Sequence, residues 1–180
     1  MGVRAEILDL LACDESEVRA RFHALFAEHD LRPARPSRER PPLDGAVTGD
    51  TLTDRGRDRI GRVRLLDDAP VGVTLTGPAY RDTPILYANR TVRELTGYSL
   101  TELRGSNPRL LQGPRTGADA VATLREAVSI WEPVTVDVWN HRRDGTAFVN
   151  RVSLRPLPGD DGTITHWAAV QEAVDPANKR

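Results

Sequence analysis

The last third of the chain constrains its fold most. In residues 133–141, 147–155 and 163–173, β-branched and aromatic residues alternate with polar ones. This period-two pattern is typical of strands with one buried face. Asp144-Gly145 between the first two segments is a strong hairpin signal. The sequence therefore predicts a hairpin followed by one further strand.

Upstream segments complete a predicted α+β domain. Residues 71–76 and 84–89 are rich in β-branched and apolar residues and predict two more strands, a candidate hairpin. Short helices are predicted over 91–96, before Gly97, and over 98–104. A stronger helix is predicted over 117–130. The predicted order is strand, strand, short helices, long helix and three strands.

The N-terminal region is predicted to be helical. Residues 4–12 and a second segment that begins after Asp14, a favoured N-cap, both carry apolar stripes. Short helices cannot bury such stripes alone. They would pack on the main domain, on each other or on a second copy, and we favour self-association; a partner-docking role is the next alternative. The predicted division of the chain is a helical extension over 1–30, a Pro/Arg-rich linker over 31–52, a helix before the core over 53–67, a core over 68–174 and a tail over 175–180.

Composition excludes several classes of function. The net charge of −1 gives no general attraction to nucleic acid or membrane. The single cysteine, Cys13, excludes an internal disulfide and a cysteine zinc site. We find no transmembrane run, no signal peptide, no nucleophile–base pair and no metal cluster, and we interpret the four histidines as surface residues. The sequence predicts a soluble, cytoplasmic protein that is not an enzyme.

One short segment concentrates polar recognition groups. Gly105-Ser106-Asn107-Pro108-Arg109-Leu110-Leu111-Gln112-Gly113 places two amides and a guanidinium within six residues. Amides suit hydroxyls and ring edges, and a guanidinium suits a phosphate. The alternative interpretation is that Asn107-Pro108 only starts a helix, since Asn is a favoured N-cap and Pro is tolerated in the first turn.

Alternation also sorts the side chains of the last three strands by face. Asn140 shares a face with Val138 and Val136, and Asn150 with Phe148, Val152 and Leu154. Gln171 shares a face with Ala169 and Trp167. Buried amides must be hydrogen-bonded, and a flat heterocycle with one polar edge, such as a flavin ring, would satisfy all three. Alternatively, the two asparagines cap strand ends, Gln171 is an edge residue, and Arg109 and Arg125 are surface arginines.

The segment 105–113 resembles the flavin-binding signature of LOV domains, Gly-x-Asn-Cys-Arg-Phe-Leu-Gln-Gly, and the resemblance extends over about 68–174. LOV domains are the blue-light-sensing branch of the PAS family. The resemblance implies a PAS fold, a five-stranded antiparallel sheet with helices on one face, and a bound FMN, with FAD less favoured. It also implies that the helix before the core lies against the sheet or forms a dimer contact, and we expect a homodimer. The residues that it assigns to flavin binding are Asn107, Arg109, Gln112, Arg125, Asn140, Asn150 and Gln171, with Thr74, Val128, Val138 and Leu154 as further pocket residues.

Pro108 departs from the family, because it stands where LOV domains carry their photoreactive cysteine. Proline has no nucleophile, so no cysteinyl adduct can form there. We expect a blue-light or redox sensor in which the excited flavin takes an electron from Trp167, or else from Tyr87, and in which the resulting N5-protonated radical makes the Gln171 amide rotate. The downstream partner is not identified. The alternative is a light-silent PAS module that senses redox state or a ligand, or that serves in dimerisation.

Overall fold

A computed structural model describes residues 2–13, 15–31 and 53–178. The predicted cap Asp14 and nearly all of the predicted linker lie outside these residues. The helices are α1 (Val3–Ala12), α2 (Glu15–Glu28), α3 (Asp54–Leu65), α4 (Arg90–Thr96), α5 (Leu100–Leu103) and α6 (Ala118–Ile130). The strands are β1 (Gly72–Thr76), β2 (Ile85–Ala88), β3 (Val134–His141), β4 (Ala147–Pro158) and β5 (Ile164–Val174).

The short helices have strong local stop and start signals. The side chain of Asn89 caps α4 by accepting from the backbone N–H of Val92 at 3.1 Å, and Gly97 ends the helix with φ +77°. Ser99 and Glu102 form a capping box at the start of α5. These caps fix where the chain turns before it enters the segment 105–113.

The five strands form one antiparallel sheet in the order β2-β1-β5-β4-β3. The β1–β2 and β3–β4 hairpins match the prediction, and β4 extends three residues beyond the predicted end. Strand β5 lies in the middle, where it pairs with β1 and β4. This topology confirms the predicted fold class.

Helix α1 packs on the sheet of its own chain. Ile7, Leu10 and Leu11 are fully buried, and Arg4 forms an ion pair with Glu172 on β5 and donates to the hydroxyl of Ser153 at 2.8 Å. The apolar stripe of α1 that favoured self-association is therefore buried within the chain. The preference for self-association through α1 was wrong, because α1 covers one face of the sheet of its own chain. The sequence did not show that this face of the sheet needed a covering helix. A homodimer stays a prediction.

Helix α3 joins the same layer. Its predicted apolar edge, Ile60, Val63 and Leu66, is buried, and Arg62 donates to the backbone oxygen of Cys13 at 2.7 Å. Because neighbouring residues of a strand face opposite sides, α1 contacts the face that carries Ser153 and Glu172. Their neighbours Val152 and Gln171 face the other side.

One histidine contradicts the surface interpretation. His166 is buried, and its ring nitrogen lies 2.9 Å from the guanidinium of Arg59. Burial, together with the positive charge of Arg59, lowers the pKa of His166 to about 4. The ring is therefore neutral near pH 7. His166 lies on the last strand close to α3, and this packing had no local signal in the sequence.

Among the described helices, none has the length and apolar character needed to span a bilayer.

Candidate functional site

A cavity of about 300 Å³ lies between the sheet and the elements that cover it. Strands β1, β3, β4 and β5 supply one wall, and α6 and the segment 105–113 supply the other. Its volume is at the lower end of the range for small-molecule sites, roughly 300–1,000 Å³. The lining residues are Thr74, Thr76, Thr83, Asn107, Pro108, Arg109, Leu111, Gln112, Val121, Leu124, Arg125, Val128, Val138, Asn140, Asn150, Val152, Leu154, Trp167, Ala169 and Gln171.

The structure brings the residues assigned to the pocket together at this cavity. All eleven that the sequence assigned to ligand binding line it, and so does Trp167. They come from five different elements and from a loop. Their meeting at one concave surface is what a single ligand would require.

Tyr87, the second candidate electron donor, lies outside the cavity lining. Its hydroxyl donates to a carboxylate oxygen of Asp67 at 3.3 Å, and the guanidinium of Arg64 lies 5.5 Å from its ring centroid. Burial, with the charge of Asp67, raises the pKa of its phenol. Its strand turns this side chain away from the cavity and toward Asp67, which follows α3, and its role as a second electron donor stays a prediction.

The three strand amides form one hydrogen-bonded chain. The amide nitrogen of Asn150 donates to the side-chain oxygens of Asn140 and of Gln171, both at 2.9 Å. The amide nitrogen of Gln171 in turn donates to the hydroxyl of Thr74 at 2.8 Å. All four residues are buried. The chain runs across four strands at one end of the cavity and holds each amide in a defined orientation.

Three buried polar atoms of the cavity wall lack a hydrogen-bond partner among the described residues. They are the side-chain oxygen of Asn150, the hydroxyl of Thr76 and the indole nitrogen of Trp167. A buried polar group without a partner costs about 1–3 kcal/mol. Such groups suit a cavity whose occupant supplies the missing donors and acceptors.

Two arginines lie at the mouth of the cavity, and they differ in their contacts. Arg109 makes two hydrogen bonds with the carboxylate of Asp82, at 2.8 and 2.6 Å. Arg125 is exposed on α6, and it has no hydrogen bond or ion pair within residues 2–13, 15–31 and 53–178. Asn107 donates to Thr83 at 2.9 Å and to the backbone oxygen of Asp82 at 2.7 Å.

The structure confirms that Asn107-Pro108 starts a helix, and contact of these two residues with a ligand stays a prediction. Pro108 begins a 3₁₀ helix that ends at Leu111, and the side chain of Asn107 caps it by accepting from the backbone N–H of Arg109 at 2.8 Å. The same two residues line the cavity. Ile85 bonds to both Gly105 and Ser106 through its backbone, at 2.8 and 2.9 Å, which ties the segment to β2.

Sequence reasoning missed part of the wall. Thr76 lies two positions after Thr74, so alternation along β1 could have found it. Thr83 and its neighbour Asp82 lie in a loop where both residues have positive φ, +45° and +65°. No sequence signal marks that conformation for non-glycine residues.

Comparison with known proteins identifies the family. A family model described as "PAS domain" matches residues 70–172. The chain therefore belongs to the PAS family. Within that family its core is a LOV domain, because it matches solved LOV structures closely. One, concerned with a flavin analogue and the light-oxygen-voltage domain mechanism, has 34% identity and a TM-score of 0.61 over 65% of this chain and 87% of that one. The light-state structure of the blue-light photoreceptor Aureochrome1 LOV has 36% identity and a TM-score of 0.58 over 64% and 90%.

Several curated relatives are larger proteins. The bacterioopsin transcriptional activator of Halobacterium salinarum is 40% identical over 62% of this chain and 16% of its own length. A blue-light-activated histidine kinase of Rhizobium johnstonii is 43% identical over 50% of this chain and 26% of its own length. The blue-light photoreceptor of Listeria monocytogenes is 34% identical over 62% and 44%. The chain thus spans less than half the length of these relatives.

Proposed function

We propose that the chain is a flavin-binding sensory protein that responds to blue light, or to redox state, without a cysteinyl adduct. The observation that carries the proposal is the buried amide chain in the cavity wall, whose Asn150 oxygen has no hydrogen-bond partner among the described residues. A flavin ring has one polar, pyrimidine edge and one apolar edge. The amides suit the first and the aliphatic wall suits the second.

The pocket residues fit distinct parts of such a ligand. Asn140 and Asn150 would hold the pyrimidine edge, with Gln171 and Thr74 beside it. Val128, Val138 and Leu154 would enclose the apolar part of the ring. Asn107 and Gln112 would contact the ribityl chain, and Arg109 and Arg125 would bind a terminal phosphate. These parts match FMN, and no pocket segment suggests a place for the adenine of FAD.

The cavity offers no thiol for an adduct. Pro108 lines the wall, and the family resemblance assigns it the position of the LOV cysteine. The chain's only cysteine, Cys13, follows α1 and donates its thiol hydrogen to the backbone oxygen of Leu10 at 3.1 Å. Burial raises the pKa of that thiol. Cys13 is not among the residues that line the cavity, so we propose signalling that needs no sulfur.

A bound flavin supplies the absorption of blue light and accepts an electron once it is excited. Trp167 is the electron donor that we propose, because its buried indole lines the cavity and its nitrogen has no hydrogen-bond partner among the described residues. The Gln171 amide would respond to the change in charge and protonation beside it. Its oxygen now accepts from Asn150 and its nitrogen donates to Thr74, and rotation exchanges the two roles.

The next residue offers a route out of the pocket. Glu172 follows Gln171 on β5 but faces the other side of the sheet, where it pairs with Arg4 of α1. A shift of β5 would therefore reach the N-terminal helices directly. We propose that these helices, a homodimer contact or a separate effector carries the signal, as the histidine kinases among the relatives suggest.

Flavin content tests the proposal. We expect the purified full-length chain to be yellow, or to take up added FMN or riboflavin, with a vibronically structured absorption band in the blue. Extraction and chromatography would identify the flavin. A colourless protein that binds neither compound would contradict the proposal and leave a PAS domain for another ligand or for dimerisation.

The second candidate is a light-silent PAS module that senses redox state or a ligand. Pro108 favours it to the same extent as it favours adduct-free light sensing, because both need a pocket without a nucleophile. A bound flavin that fluoresces under blue light and is not reduced by it would select this alternative.

A further inference from the structure

We propose that Asp82 sets the selectivity of this pocket for the tail of its ligand by acting as a built-in counter-ion of Arg109. Asp82 would weaken the preference for a phosphorylated flavin over an unphosphorylated one. This inference rests on the proposed flavin binding, which it deepens. It concerns one carboxylate that neither the family resemblance nor the comparisons assign to the pocket.

The geometry of the pair is specific. Both carboxylate oxygens of Asp82 accept from the guanidinium of Arg109, at 2.8 and 2.6 Å, a fork-to-fork arrangement. Asn107 donates to the same carboxylate at 3.1 Å and to the backbone oxygen of Asp82 at 2.7 Å. The carboxylate therefore occupies donors of two residues that line the cavity.

Charge at the mouth follows from this pairing. Arg109 and Arg125 together bring two positive charges, and Asp82 cancels one of them. A phosphate monoester carries about −1.5 to −2 charge at pH 7. At this mouth the net positive charge available to the phosphate would be that of a single arginine. The phosphate would either displace the Asp82 carboxylate from Arg109 or bind beside it against electrostatic repulsion.

An unphosphorylated tail avoids this conflict. The hydroxyls of riboflavin can donate to the side-chain oxygen of Asn107 and can use Gln112 without disturbing the ion pair. The pair is well exposed, with about 61% of each side chain accessible, so solvent weakens it and the discrimination is modest. Asp82 should therefore shift the ratio of the two affinities by about two- to fivefold.

The test measures the dissociation constants of FMN and riboflavin for the flavin-free full-length chain in low salt. We expect Asp82→Asn to raise the preference for FMN over riboflavin by about two- to fivefold, with little change in riboflavin affinity because the asparagine oxygen can still accept from Asn107. Asparagine tolerates the left-handed backbone at this position. Asp82→Gly, which also suits φ +65°, should give the same shift and guards against a folding defect in one variant.

A matched control separates local from global charge. Asp160→Asn removes the same charge from an exposed loop carboxylate that pairs with Arg55 and does not line the cavity. It should leave the ratio unchanged. High salt should reduce the Asp82→Asn effect, because exposed charges are screened, whereas a purely structural effect would persist.

The outcomes distinguish the two claims. An unchanged FMN preference in Asp82→Asn, with riboflavin still bound, would overturn the role of Asp82. A lowered preference would overturn it as well and would show that Asp82 orients Arg109 for phosphate. Failure of the wild type to bind either flavin would overturn the proposed function and this inference together.

Discussion

The amide nitrogen of Asn150 donates to the side-chain oxygen of Gln171 at 2.9 Å, from the neighbouring strand of the sheet. The same nitrogen also donates to Asn140. Asn150 is thus the only link between the other two strand amides that the described hydrogen bonds provide, and it fixes which way Gln171 points.

Replacing Asn150 should cost both stability and binding. Asn150→Ala leaves the oxygens of Asn140 and Gln171 without this donor, so we expect a loss of about 2 kcal/mol in the free energy of unfolding. Urea denaturation of the flavin-free protein would measure it, and flavin affinity should fall as well. Asn178→Ala, an exposed residue after β5, is the control and should change neither. An Asn150→Ala protein with wild-type stability and affinity would refute the amide chain as the polar end of the site.

Gln171 should control whether a light-induced change in the pocket reaches α1. In the dark we expect slow amide hydrogen exchange across α1, because its apolar side is buried on the sheet. Illumination of the flavin-loaded protein should speed this exchange severalfold. In Gln171→Leu the flavin band should remain while the change in α1 disappears. A light response in α1 that survives this substitution would show that the signal leaves by another route.

Pro108→Cys should allow a cysteinyl adduct to form. A thiol at position 108 can add to the flavin ring, with one carbon–sulfur bond formed and the thiol proton moved to a ring nitrogen. With no reductant present, we expect reversible loss of the blue absorption band on illumination, without the broad long-wavelength absorption that photoreduction of the wild type should produce. Pro108→Ser, which offers a side chain of similar size without a thiol, is the control. If the cysteine variant binds flavin and forms no adduct, Pro108 does not occupy the adduct position.

His166 makes stability depend on pH. Its pKa is about 4 in the folded chain, against 6.5 as its ordinary value. The unfolded state therefore binds more protons between these two values, and the folded state loses stability as pH falls through that range. The loss attributable to this residue at pH 5 should be at most about 2 kcal/mol. His166→Gln should lose less stability than the wild type between pH 7 and pH 5 in denaturant titrations. The exposed His23→Gln should behave like the wild type, and equal pH slopes for all three proteins would contradict the burial of a neutral His166.

Much of the site could be predicted from the sequence, because the alternation of side chains along a strand is a local property. Alternation alone placed Asn140, Asn150 and Gln171 on one face, and the family signature added Asn107, Arg109 and Pro108. Contacts between distant parts of the chain left no such pattern. Arg4 and Glu172 are 168 positions apart, and nothing in either segment indicates the other.

Asp82 and Tyr87 show the same limit. The ion pair of Asp82 with Arg109 depends on a left-handed loop that non-glycine residues rarely adopt. Tyr87 belongs to a four-residue strand with every position buried, so no alternation of polar and apolar residues showed which face it occupies. The sequence predicts which face of a strand a side chain occupies when one face is polar. It gives no such prediction when both faces of the strand are buried.

The most direct test of adduct-free light sensing is the absorption spectrum of the flavin-loaded chain before and after blue light, with a mild reductant present. The account predicts loss of the structured blue band in favour of broad long-wavelength absorption, with recovery in the dark. The change should be severalfold slower in Trp167→Phe and unaffected in Trp131→Phe, an exposed tryptophan at the end of α6. A spectrum that light does not alter, or bleaching that requires Cys13, would contradict the account.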